Sequence, residues 1–126
     1  MKTLVVFIIL TGMILIQSSY PDTIPYTQEQ IGMASFYSYE CANQPMANGK
    51  IFDPEKRTCA SWFDALGTVL LVRSLETGLT TEVVVTDRGP SRRLVRQGRI
   101  IDLSKKAFED ICSTSKGLTQ VSVTKL

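Results

Sequence analysis

The chain has 126 residues, and its 14 basic and 12 acidic side chains leave a net charge of only +2. This length has room for one domain. The numbers of basic and acidic residues are nearly equal, which argues against a general nucleic-acid-binding protein, because such a protein is usually far more basic. The sequence contains no histidine, which excludes Ser-His-Asp and Cys-His catalytic sites and most zinc sites.

The first 19 residues have the pattern of a secretory signal peptide. Lys2 supplies a short positive region, residues 3–16 are almost entirely apolar, and cleavage is expected near Ser18 or Ser19. The alternative is an uncleaved anchor, which is disfavoured because the apolar run is shorter than the about 20 residues that span a bilayer core. No cysteine follows the run, so we expect no lipid attachment. The mature protein is expected to be periplasmic or secreted, without a stable membrane span.

Residues 20–31 contain two prolines and are predicted to be an extended lead-in to a domain that covers residues 32–126. Within that domain, a turn is predicted at 76–78 and a helix from Ser104 to about Cys112, because Ser104 is a good N-cap and an apolar face follows it. Short runs of β-branched and aromatic residues predict strands at 33–37, 69–73, 81–85 and 121–125. This combination favours a compact, mainly β domain, such as a barrel.

Two apolar runs each lead to an aspartate. Residues 83–85 precede Asp87, and residues 100–101 precede Asp102. The segment between them is rich in positive charge, which favours an anionic ligand because guanidinium groups match carboxylates in bidentate geometry. The alternative is an ordinary solvated loop. The five arginines of this segment are Arg88, Arg92, Arg93, Arg96 and Arg99.

The three cysteines, Cys41, Cys59 and Cys112, allow at most one internal disulfide. An oxidising compartment permits such a bridge, and Cys41–Cys59 is the preferred pair if one forms. Cys112 shares an apolar helix face with Phe108 and Ile111, so we predict that it is a buried thiol.

Six sequence blocks carry a resemblance to a known family. They are "GMASFY" (32–37), "MANGKIFDP" (46–54), "TCAS" (58–61), "LGT" (66–68), "VVVTDRGP" (83–90) and "GRIIDLSKKAF" (98–108). In this order they resemble the double-psi β-barrel domain of rare lipoprotein A, over residues 32–125. The resemblance implies a six-stranded barrel with one or two short helices and a groove across it. It also implies endolytic cleavage of peptidoglycan glycan strands, with formation of 1,6-anhydro-N-acetylmuramic acid and without a metal or cofactor. It identifies no cell-division partner.

The resemblance also assigns site residues. The aspartate of a block like "IDLS", here Asp102, is the proposed catalytic acid in relatives, and Asp87 is the second candidate because a neighbouring carboxylate would help to keep Asp102 protonated. Asp53 is a candidate supporting carboxylate, although its position before a proline favours a structural role. Among the aromatic residues Phe36, Tyr37 and Trp62, we choose Tyr37 as the groove residue. The residues expected to bind the glycan are Tyr37, Asn48, Arg88, Arg99 and Ser104.

A general acid must be protonated near neutral pH, so its pKa must be raised. The apolar neighbours of Asp102 would raise its pKa by desolvation, whereas Arg99 and the following helix N-terminus would lower it. Sequence leaves this balance open.

Two positions depart from the pattern of the family. Lys50 stands where rare lipoprotein A domains commonly have a glutamate, and Ser61 stands where they have a histidine. These departures favour an alternative, a non-catalytic glycan-binding or expansin-like wall-loosening module. A third hypothesis is a domain that binds a protein partner through the arginine-rich segment.

Overall fold

The computed structural model describes residues 28–126, so the predicted signal peptide and most of the predicted lead-in lie outside the described residues. The described part contains six strands, two short α-helices and two 3-10 turns. The strands are β1 (Glu29–Phe36), β2 (Thr58–Ala60), β3 (Val69–Ser74), β4 (Thr80–Asp87), β5 (Arg99–Leu103) and β6 (Thr119–Lys125). The helices are α1 (Arg92–Arg96) and α2 (Lys105–Ile111), and the 3-10 turns are Tyr39–Cys41 and Thr114–Lys116.

The six strands close into a barrel in the order β1-β5-β2-β4-β3-β6. The pairs β1–β5 and β2–β4 are parallel, and the other four pairs are antiparallel. Parallel neighbours require crossover connections, so the chain passes between distant parts of the barrel. Strands β3 and β4 form a hairpin. The expected six-stranded barrel with one or two short helices is confirmed.

Alternating residues of the strands fill the inside of the barrel, as expected for strands with one buried face. Helix α2 covers one side of this core with Phe108 and Ile111, both fully buried. Its N-terminus is capped as predicted, because Ser104 Oγ accepts a hydrogen bond from Ala107 N at 3.2 Å. Cys112 is 7% exposed, so its predicted burial is confirmed. The strand residues of the core are Ala34, Cys59, Leu70, Val72, Val83, Val85, Ile101, Leu103, Val121 and Val123.

The structure corrects several sequence-based boundaries. Strand β1 begins at Glu29, inside the predicted lead-in, so the barrel starts before Gly32. Strand β2 was not predicted, because three residues are too few to display an alternating pattern. The arginine-rich segment is not a simple loop, since residues 92–96 form helix α1. The turn predicted at 76–78 does connect β3 to β4.

Two further observations concern cysteines and membranes. Cys41, Cys59 and Cys112 are free thiols in the structure, so the preferred Cys41–Cys59 pair is not formed. Among the helices of residues 28–126, none is both long enough and apolar enough to cross a membrane.

Gly32 marks a close approach of β1 to the start of β5. A Cβ atom at this position would lie 2.7 Å from Ile100 Cγ2 and 2.9 Å from Gly98 O. We therefore expect Gly32→Ala to lower the free energy of unfolding by about 1–3 kcal/mol, as overpacking does elsewhere. Urea unfolding measures this change. Gln30→Ala on the same strand serves as the control and should stay within about 0.5 kcal/mol of wild type; an equally small effect of Gly32→Ala would contradict the close approach.

Candidate functional site

Four residues on four neighbouring strands form a row across the outside of the barrel. Ser35 of β1 pairs with Asp102 of β5, Asp102 pairs with Ala60 of β2, and Ala60 pairs with Asp87 of β4. We call these four residues the carboxylate row. Because neighbouring strands lie about 4.8 Å apart, the Cα atoms of the two aspartates are separated by roughly 10 Å. The core residues Ala34, Cys59 and Ile101 each precede a row member in the sequence and point to the inside of the barrel. Because side chains alternate along a strand, the neighbouring row members point outward.

The small residues Ala60 and Gly89 leave space for the Asp102 carboxyl group. A Cβ atom on Gly89 would lie 3.3 Å from the Ala60 Cβ and 3.6 Å from Asp102 Oδ2. The backbone at Gly89 thus covers Ala60, which is fully buried, and approaches Asp102 closely. Any side chain at Gly89 would take up the room beside that carboxyl group.

Asp102 has the electrostatic environment of a protonatable acid. Burial raises its pKa above the ordinary value, and the negative charge of Asp87 adds to this effect. The hydrogen bond that Ser35 Oγ donates to Asp102 Oδ1 and the positive charge of Arg99 lower the pKa, but burial outweighs them. The balance that the sequence left open is therefore resolved towards a raised pKa.

Asp87 is held as a hydrogen-bond acceptor by three donors. The Tyr37 hydroxyl donates to Oδ2 at 2.9 Å, and the backbone N–H groups of Ala47 and Arg88 both donate to Oδ1 at 2.9 Å. These contacts join the end of β1, the 42–50 segment and the turn after β4. Asp87 is thus a fixed carboxylate at one end of the row.

Tyr37 lies over the row, with its ring packed against Phe52 at a centroid distance of 4.7 Å. Its pKa is raised far above the usual value, first by burial and then by the hydrogen bond to Asp87, with a smaller contribution from the charge of Asp102. The hydroxyl therefore stays protonated and remains a donor to Asp87.

The other predicted site residues occupy different positions. Ser104 is fully buried, and its Oγ accepts hydrogen bonds from Ala107 N and Thr58 N, so it caps helix α2 and has no exposed side chain for the predicted glycan contact. Arg88 donates through Nη1 to the carbonyl oxygens of Ser61 and Asp64 at 2.8 and 2.6 Å, so its guanidinium group braces the neighbouring loop.

Asn48 and Asp53 lie on the segment before β2. Asn48 is exposed, its Oδ1 accepts from Lys50 N at 3.0 Å, and its own N–H donates to Thr86 O. Asp53 accepts from Glu55 N at 3.0 Å in a local turn, and no contact joins it to the carboxylate row. This geometry fits the structural role that the sequence favoured.

A basic and aromatic surface borders the turn at Gly89. The Arg92 guanidinium lies 4.6 Å from the centroid of the Trp62 ring, and Trp62 Nε1 donates to Pro90 O at 2.6 Å. Trp62 is 40% exposed, and Arg93 and Arg96 extend the positive charge into solvent. We call Trp62, Arg92, Arg93 and Arg96 the arginine–tryptophan surface.

Sequence reasoning missed three residues of the site: Ser35, Ala60 and Gly89. Ser35 resembles any polar residue on the outer face of a strand, and Ala60 lies in the strand that was not predicted. Only the strand register places them beside Asp102. Within residues 28–126, no group of three or more Cys, Asp or Glu side chains is arranged to hold a metal ion.

The Ser35 hydrogen bond generates a titration prediction. Because this bond lowers the pKa of Asp102, Ser35→Ala should raise that pKa further above the ordinary value. A carboxyl-carbon NMR titration measures the shift. Ser38→Ala is the matched control, since Ser38 Oγ contacts Cys41 Sγ instead and its loss should leave the Asp102 titration unchanged. A lowered or unaltered pKa in Ser35→Ala would contradict the prediction.

Comparison with known proteins identifies the family of this chain. A family model described as lytic transglycolase matches residues 29–123. Endolytic peptidoglycan transglycosylase RlpA of Helicobacter pylori is 32% identical over 102 residues, which cover 81% of this chain and 31% of that protein. An uncharacterized Synechocystis protein, ssl3177, is 33% identical over 93 residues, which cover 74% of this chain and 94% of that protein. The chain thus spans about a third of the Helicobacter relative's length.

Solved structures show the same fold. Streptomyces papain inhibitor superposes with a TM-score of 0.63 at 23% identity and covers 82% of this chain and 99% of its own. A Clavibacter michiganensis expansin variant in complex with cellohexaose has a TM-score of 0.61 at 20% identity and covers 79% of this chain and 50% of its own. The chain therefore belongs to the lytic transglycolase family and has the double-psi β-barrel of rare lipoprotein A.

Proposed function

We propose that this protein is exported and cleaves peptidoglycan glycan strands as an endolytic transglycosylase, with Asp102 as its general acid. The observation that carries the proposal is the outward-facing, largely buried Asp102 carboxyl group with a raised pKa. A carboxyl group of this kind retains its proton closer to neutral pH than a solvated aspartate does. The family match over residues 29–123 supports the same reaction class.

Asp102 would act twice in one turnover. As an acid, it gives its proton to the glycosidic oxygen, and the bond to C1 of the muramyl residue breaks with an oxocarbenium-like transition state. As the resulting carboxylate, it takes the proton from the 6-hydroxyl of the same sugar while that oxygen attacks C1. The proton thus returns to Asp102, and the sugar closes a 1,6-anhydro ring. Since the nucleophile is intramolecular, proximity supplies much of the rate and no water is consumed.

Asp87 and Tyr37 would support this acid without exchanging protons with the substrate. The negative charge of Asp87 raises the pKa of Asp102, and its three donors keep that charge in a fixed place. Tyr37 donates one of these bonds. We assign Asp87 as an electrostatic and positioning residue, and Tyr37 as the residue that orients it.

The arginine–tryptophan surface would hold the anionic glycan beside the row. Its guanidinium groups are exposed, and within the described residues only Arg57 and Lys105 donate to the ion pairs that occur. The charge of Arg99 acts on the pKa of Asp102, and we assign Arg99 to contact a sugar substituent near the cleaved bond.

A non-catalytic glycan-binding module is the second candidate, and the environment of Ser61 favours it. Ser61 is 3% exposed, and its Oγ accepts from Phe63 N at 3.1 Å, so this position supplies no acid or base. Lys50 likewise replaces a carboxylate of the family. The fold shared with an expansin that was solved with cellohexaose is compatible with binding alone.

Asp102→Asn distinguishes the two functions. The exchange is nearly isosteric, so fold and strand binding should remain, whereas loss of the transferable proton should reduce turnover by roughly a hundredfold to ten-thousandfold. The assay is digestion of peptide-free glycan strands, with mass spectrometry to detect products that carry the anhydro ring. Asp53→Asn is the matched control and should cut strands as wild type does; Asp87→Asn should have an intermediate effect.

Two results would contradict the transglycosylase. Products that lack the anhydro ring would indicate hydrolysis, which requires a second essential carboxylate. Wild-type protein that binds strands but releases no product would establish the binding module.

Replacing the arginines of α1 tests the proposed glycan contact. The triple variant Arg92→Gln, Arg93→Gln, Arg96→Gln should unfold near the wild-type midpoint, because all three side chains are exposed. Its affinity for glycan strands should fall, and the loss should be larger at low salt than at high salt. A control that removes Arg73, Lys116 and Lys125 in the same way changes net charge equally, and it should retain affinity. Equal losses in both triple variants would mean that only net charge matters.

A further inference from the structure

The loop between β2 and β3 exposes large apolar side chains. Trp62 and Phe63 are adjacent in the sequence, and their side chains are 40% and 47% exposed. Leu66, on the same loop, is also 40% exposed. A single exposed apolar residue is ordinary, whereas a group of them on one loop marks a candidate interaction surface. We call Trp62 and Phe63 the aromatic tip.

The aromatic tip borders two clefts that carry positive charge. One has a volume of about 260 Å³ and is lined by both rings together with Arg92 and Arg96 of α1. Phe63 also lines a second cleft, of about 380 Å³, together with Asp64 and Lys125. Among the described residues that line the two clefts, three are thus basic and one is acidic. None of the three basic side chains forms an ion pair within residues 28–126, so their charges are available to an anionic partner.

Polar groups of the loop are paired within the protein. Trp62 Nε1 donates to Pro90 O at 2.6 Å, and Phe63 N donates to Ser61 Oγ at 3.1 Å. Arg88 Nη1 donates to two carbonyl oxygens of the same loop at 2.8 and 2.6 Å. A polar group that leaves water without a hydrogen-bond partner carries a large free-energy cost. These bonds therefore let the two rings enter an apolar medium without that cost.

Aromatic rings with paired polar groups and basic neighbours suit the interface of a lipid bilayer. Trp and Phe side chains partition into the region between headgroups and acyl chains, and Lys and Arg side chains are attracted to anionic headgroups. We propose that the aromatic tip inserts into the surface of a bilayer rich in anionic phospholipid, with Arg92, Arg96 and Lys125 against the headgroups. The barrel thereby docks reversibly on a membrane surface. This docking requires neither glycan binding nor glycan cleavage.

The fluorescence of Trp62 tests the insertion directly, because it is the only tryptophan of the chain. Protein recovered after export is mixed with vesicles of phosphatidylcholine alone, or of equal parts phosphatidylcholine and phosphatidylglycerol. With the anionic vesicles, we expect the emission to shift to shorter wavelength and to be quenched by bromine-labelled lipid. Both effects should be much weaker with phosphatidylcholine alone, and high salt should weaken binding to the anionic vesicles.

Phe63→Gln separates lipid docking from the proposed glycan contact, which uses the arginines of α1 but not Phe63. The variant should bind anionic vesicles about tenfold more weakly, because it loses the burial of an apolar ring. Its unfolding midpoint and its affinity for glycan strands should stay near wild type, since the side chain is exposed.

Leu79→Gln is the matched control and should bind vesicles as wild type does. Leu79 is 55% exposed, but it precedes β4 at the end opposite to Asp87, roughly 23 Å away along the strand.

Four results would overturn the inference. Three of them are no binding to anionic vesicles, binding that leaves the Trp62 emission unchanged, and binding that Phe63→Gln does not weaken. The fourth is an equal loss of glycan affinity in Phe63→Gln, which would assign the tip to the glycan. A wild type that cuts no strands would refute the proposed catalysis but leave the vesicle measurements unaffected.

Discussion

The pairing of β2 with β4 on one side and β5 on the other is the constraint on which the site depends. Three residues suffice for this strand because both of its edges are hydrogen-bonded within the closed barrel. The pairing places Ala60 between Asp87 and Asp102, so the two carboxyl groups approach each other across a residue that has almost no side chain. A larger residue at Ala60 would fill the space that Gly89 and Asp102 now share.

The two aspartates of the row have different environments. Asp102 is largely desolvated, which raises its pKa, whereas Asp87 is surrounded by donors from three segments. A pair of titratable groups with contrasting surroundings is a frequent arrangement in acid–base catalysis.

One surface beside the row carries exposed positive charge. The arginine–tryptophan surface lies next to the turn at Gly89, where Trp62 donates to Pro90 O and the Arg92 guanidinium lies over the Trp62 ring. Arg92, Arg93 and Arg96 are exposed, although the net charge of the chain is only +2.

The sequence by itself determined the class of fold, the family, and the two strand ends that carry Asp87 and Asp102. These features are encoded locally, in β-branched runs, in the Ser104 cap of α2 and in contiguous motif blocks. Tertiary structure alone decided that the three-residue strand β2 lies between the strands of Asp87 and Asp102. It also decided that Ser35 donates a hydrogen bond to Asp102 and that Ser104 is buried. It also decided that burial outweighs Arg99 in setting the pKa of Asp102. The physical reason is that the register between two strands depends on contacts between residues that are distant in sequence. The desolvation of Asp102 follows from that register. No local sequence pattern records these contacts.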